Sequence, residues 1–136
     1  MPLTYQIELE NRRITVVADG EVDLTNDGRD LIARIPRDKD YQPSYDIFVD
    51  FVNAVCNPTP ADIRQLLRWL PALRMPHTNK VAVLTSNSFH YGMARMASIL
   101  AGSKNISLYV FLHRQDVHAW LDSPSSGPPE GDQLSA

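Results

Sequence analysis

Four histidines, one cysteine and a hydroxyl-rich turn are the residues from which this chain could build a chemical site. His77, His90, His113 and His118 show neither HxxxH nor HxH spacing, and no Cys/His cluster has the arrangement that holds zinc. Cys56 follows a strand-like run, and no sequence neighbour would activate it as a nucleophile. A small buried thiol is the ordinary role of such a residue. There is no GxSxG elbow and no dinucleotide-binding glycine pattern. The chain therefore reads as non-enzymatic, with no catalytic residue, metal or cofactor, although a convergence of Asp50, Cys56 and a histidine in space stays open.

Residue types suited to recognition are better represented. The turn Thr85-Ser86-Asn87-Ser88 joins an apolar run to a helix, so its hydroxyls and backbone N–H groups could hold an anion. No phosphate-loop glycines or lysine accompany it, and plain helix capping is the competing role. His90 and Tyr91 follow, with Arg95 one helical turn after Tyr91; with Ser86 and Ser88 they would form a polar patch, or merely a solvated helix face. Beside them Phe89, Met93, Met96, Ala97 and Leu100 read as a core stripe, whose methionines also suit an adaptable pocket. That leaves room for a small apolar or anionic ligand between the sheet and helix 88–101. Arg64 and Arg68 lie four apart with Trp69 adjacent, and these residue types anchor protein interfaces, although surface arginines and a tryptophan at the core margin are common.

These residues need a scaffold, and the hydrophobic pattern supplies one. Residues 3–9 alternate apolar and polar as a half-buried strand does, Glu10-Asn11-Arg12 makes a polar turn, and a second strand starts at Ile14, too soon for anything but a hairpin. Thr25 or Asn26 would cap a helix presenting Leu31, Ile32 and Ile35, with Gly28 as a weak point and Pro36 as its end. Residues 46–53 form a central strand in which Asp50 must find a donor or sit at an open end. Thr59, Pro60 and Asp62 mark a helix start with Ile63, Leu66, Leu67 and Leu70 on one face, closed by Pro71 and Pro76. The strand VAVL, a helix capped by Ser86 or Ser88 and stopped by Gly102 in the left-handed conformation, a strand at 106–112 and a short helix burying Val117, Trp120 and Leu121 complete the order ββαβαβαβα. This is an α/β sandwich on a mixed, mostly parallel sheet of about five strands with an antiparallel edge hairpin. Residues 1–121 form one domain, and 122–136 read as a disordered Pro/Ser/Gly-rich tail.

Bulk properties narrow the partners. Thirteen Lys/Arg against 16 Asp/Glu give a net charge of −3, which opposes nucleic-acid binding. One cysteine rules out an internal disulfide, and no apolar run suggests a leader or membrane span, so a cytoplasmic protein is expected. A homodimer remains open.

The stretch Val49-Asp50-Phe51, the block KVAVLTSNSFHYGMARM at 80–96 and the block YVFLHRQDVHAWL at 109–121 resemble the bacterial SpoIIAA-like proteins of the STAS fold, over residues 5–121. Tyr91 to Met96 and Ala119-Trp120-Leu121 are the most distinctive parts. The resemblance implies a regulatory module that docks onto a protein partner through the loop at 54–59 and the helix at 60–70, and that is switched by phosphorylation of a residue at that helix start. Asp50 matches the family's strand position. The family's Asp-Ser-Ser-Gly-like motif is replaced by Asn57-Pro58-Thr59-Pro60, which leaves Thr59 nearest the phosphoacceptor and argues against an ordinary phospho-switch.

Overall fold

The computed structural model describes residues 2–74 and 79–129, so Pro76, His77 and residues 130–136 of the expected tail lie outside the described residues. Five strands, β1 (Leu3–Glu8), β2 (Arg13–Glu21), β3 (Asp46–Val55), β4 (Lys80–Leu84) and β5 (Ser107–Phe111), form one sheet in sequence order. The expected hairpin is there: β1 and β2 pair antiparallel with Ile7 opposite Ile14, across a turn in which Arg12 adopts φ 54°. The other pairs are parallel. Their connections are helices α1 (Leu24–Arg34), α2 (Pro60–Trp69) and α3 (Ser88–Gly102), and α4 (Arg114–Asp122) follows the last strand. No helix among the described residues is long and apolar enough to cross a membrane.

Alternation along the strands divides the interior in two. Ile14, Val16, Ile47, Phe51, Val81 and Leu108 face α1, α2 and α3 in the larger core. Phe48, Ala82, Leu84 and Phe111 point the other way, onto Val117, Trp120 and Leu121 of α4. The far end of α4 is tied to the sheet by two buried cations. Lys80 Nζ donates to the carbonyl of Trp120 at 2.6 Å, and Arg13 donates to His118 Nδ1 at 3.2 Å and to Asp122 at 2.9 Å. A cation against the last carbonyls of a helix suits the helix dipole. Burial pushes the Lys80 ammonium below lysine's ordinary range, against the pull of Asp46. Trp120 Nε1 in turn donates to the carbonyl of Gly127 at 3.0 Å, so the residues just after Asp122 run back over the tryptophan.

Helix starts show which polar residues won the competition for backbone donors. α2 opens with a full capping box: Thr59 Oγ1 accepts from Asp62 N, and the Asp62 carboxylate accepts from Thr59 N at 2.9 Å. The cap of α1 is Asp23, not Thr25 or Asn26, because Thr25 spends its hydroxyl on Asp62 at 2.6 Å and the Asn26 side chain itself donates to Asp23. The cap of α3 is Asn87, not Ser86 or Ser88. Asn87 Oδ1 accepts from His90 N at 2.8 Å, Ser86 donates to the carbonyl of Val52, and Ser88 is already helical. Gly102 is likewise the last helical residue, and the left-handed position is Asn105, with φ 60°. Asparagine tolerates that region better than other residues with a side chain.

The stripe expected on α3 is rotated. His90, Ala94, Ala97, Ser98 and Ala101 are buried, Met93, Met96 and Leu100 pack at the core margin, and Phe89 is 50% exposed. Apolar residues ring this helix, with Ile99 exposed on its outer side, so periodicity alone could not choose the buried face.

Candidate functional site

Between the sheet and the first three helices lies a cavity of about 180 Å³. Its floor comes from strand residues such as Val16, Val49 and Val83, and its roof from Leu31 of α1, Leu66 and Leu67 of α2, and Met93 and Ala97 of α3. Gly28 explains how α1 and α2 come this close. A Cβ at Gly28 would stand 2.5 Å from Leu66 Cδ2, so the glycine that weakens α1 as a helix is a contact point between helices.

Among the described residues Thr85 and His90 are the members of this lining with polar side chains, and its surface is nonetheless almost wholly apolar. His90 is fully engaged. Because Asn87 Oδ1 takes the His90 backbone N–H, its amide nitrogen faces His90 Nδ1 at 3.0 Å as donor, and His90 Nε2–H donates to the carbonyl of Cys56 at 2.9 Å. The ring is thereby set as the neutral Nε2–H tautomer, packed edge-on against Phe51 with centroids 5.0 Å apart. Thr85 differs: it is 1% exposed, its backbone N–H donates to Phe111 at 3.0 Å, and its hydroxyl meets no partner among the described residues.

The sequence-derived candidates divide across the molecule. His90 points inward and lines the cavity, whereas Ser86 and Ser88 are exposed, so the polar patch does not form as one surface. Tyr91 and Arg95 are half-buried and both have partners. Arg64 and Arg68 stand exposed on α2, opposite Ile63 and Leu67, with Trp69 half-buried at the helix end; neither arginine joins an ion pair among the described residues. Thr59 is exposed, but its hydroxyl belongs to the capping box, where a phosphate would displace that bond and face the Asp62 carboxylate. Hydrogen bonds from Thr25 and then Thr59 hold that carboxyl below its ordinary range.

Asp50, Cys56 and a histidine do not assemble as a reactive group. Asp50 lies on the α4 side of the sheet and is paired with Arg114 at 2.8 Å. Burial, then the nearby Asp62 carboxylate, push the Cys56 thiol up, and it is the Cys56 carbonyl that meets His90. No group of three or more His, Cys, Asp or Glu suited to a metal ion exists among the described residues.

Thr85 entered the sequence reading only as one member of a turn, and the cavity residues Gly28, Leu66 and Leu67 as a helix weakness and a core stripe. The only local signal was a glycine inside an amphipathic helix, which marks a close approach without saying to what. Against protein-family models and curated proteins the chain finds no match.

Proposed function

We propose that this chain is a non-enzymatic, SpoIIAA-like module of the STAS class that binds a small uncharged apolar molecule between its sheet and α1, α2 and α3. The cavity carries this reading. The space is lined almost wholly by apolar side chains and is partly open to solvent, so an apolar molecule entering it would be taken out of water against them. Among the described residues no Lys, Arg, Asp or Glu reaches the lining, so an anion would be held there without a counter-charge. This favours the apolar ligand over the anionic one. The test is Ala97→Leu, which fills the space from α3. Toluene at saturation is expected to raise the melting temperature of the native chain. The variant should gain about 0.5–2 kcal/mol unliganded and lose the toluene response. A native chain whose melt is moved by neither toluene nor phenol would overturn the reading.

A second reading, docking of a protein partner on α2, is favoured by the exposed Arg64 and Arg68 on the helix whose inner face roofs the cavity. A ligand that repositions α2 from inside would alter the surface outside. Arg64→Glu with Arg68→Glu is expected to abolish capture of a partner from the source lysate while changing stability by less than about 0.5 kcal/mol. An undiminished partner would remove this face from consideration.

A further inference from the structure

We infer that α4 is latched to the sheet by a proton-sensitive contact, Arg13 to His118, so that acidification loosens α4 and uncovers the sheet face that carries Phe48, Leu84 and Phe111. The latch is independent of the cavity, which lies on the other side of the sheet.

The chemistry of the donor fixes the state of the acceptor. A guanidinium carries N–H groups only and keeps its charge, so the His118 Nδ1 that stands 3.2 Å from Arg13 Nη1 must present a lone pair. The imidazole is therefore neutral, with its proton on Nε2. A second proton would set N–H against N–H. Arg13 has no reserve: it is 5% exposed, its Nε is buried without a partner among the described residues, and its other bond goes to Asp122 at 2.9 Å. Losing His118 would leave a second nitrogen of this buried cation unpaired. His118 itself is exposed, edge-on to Phe48 with centroids 5.6 Å apart, so a proton reaches it without the core opening.

The charges around the contact do not cancel the one added. Lys80 of β4, the other buried cation at this end of α4, has the same sign. Glu8 of β1, opposite Arg13, is engaged by Thr15, Asp46 of β3 accepts from Lys80 N, and Asp122 already accepts from Arg13. On α4 itself Arg114, one turn before His118, pairs with Asp50. Burial pushes the Asp46 carboxyl above its ordinary range, so proton uptake there favours the folded state and works against release. α4 is the last of the helices, and it can part from the sheet without breaking another strand or helix.

His118→Gln tests this, since the glutamine carbonyl accepts from Arg13 and takes up no proton. Amide hydrogen exchange of the full native chain and of the variant is followed by NMR at about pH 8 and about pH 5.5, which bracket the range where histidines ordinarily titrate. Exchange is read as protection factors, so that the intrinsic effect of pH on it cancels. Protection at Val117, Trp120 and Leu121 is expected to fall about tenfold at the lower pH in the native chain, and to stay level in the variant. Ile63 and Leu67 of α2 should keep theirs in both. Asp46 and Lys80 are common to the two proteins, so the difference between them reports His118. No fall in the native chain, or an equal fall in His118→Gln, would overturn the latch. An equal fall at Ile63 and Leu67 would show the domain opening as a whole and would also overturn it.

Discussion

Replacing Trp120 with alanine is expected to lower the unfolding free energy by about 3–5 kcal/mol. Trp120 is 5% exposed in the smaller core, where its ring lies against Phe111 with centroids 5.6 Å apart and edge-on to Tyr109 at 5.3 Å. The Lys80 ammonium stands 5.3 Å from the same ring, and the indole N–H is spent on Gly127. Truncation therefore opens a void between α4 and the sheet and removes the contact that holds the ammonium over a π face. It also unties the residues after Asp122. Trp120→Phe keeps the apolar contact and loses the indole hydrogen bond, so its cost should be nearer 1 kcal/mol. Urea melts followed by far- and near-ultraviolet circular dichroism measure both. A cost below about 1 kcal/mol for the alanine variant would contradict the packing of α4 on β4 and β5.

Trp120 also shows how far local pattern reaches. Its burial, the order of strands and helices, the edge hairpin and the Thr59–Pro60–Asp62 start of α2 were legible because each depends on residues close in sequence: a short period, a cap three residues from its donor, a loop too short for a crossover. The caps of α1 and α3 were not. Asp23, Thr25 and Asn26 are all suited to capping, and what excluded Thr25 was an acceptor 37 residues away in Asp62. Polarity misled in the same way at His90. It reads as a surface group, yet Asn87 and the Cys56 carbonyl satisfy both ring nitrogens and permit its burial. The cavity was the least legible feature, since its walls run from Leu3 to Leu108 and it exists only where side chains of the sheet and of three helices fail to meet. Packing density is a property of the assembled interior, and no window of sequence contains it.

Leu67→Ala should cost about 2–5 kcal/mol and at the same time widen the cavity, so its destabilisation is expected to be partly reversible by ligand. Leu67 is 2% exposed on the inner face of α2 and lines the cavity wall, which means the removed carbons add to space already open instead of leaving an isolated hole. Two effects then compete. The roof can collapse inward, helped by the flexible Met93 across the cavity, which lowers the cost towards 2 kcal/mol and leaves no new room. Alternatively the backbone holds, the cost approaches 5 kcal/mol, and a larger occupant such as indole gains the lost contacts. A ligand present at a hundred times its dissociation constant returns about 2.7 kcal/mol, enough to recover half or more of the deficit. Urea midpoints of the native chain and the variant, with and without toluene or indole, separate these cases. The variant should be rescued more by indole than by toluene, with the order reversed or levelled in the native chain. Equal destabilisation with no rescue by either probe would mean that α2 closes over the gap, and that the native cavity is kept open by Leu67 itself.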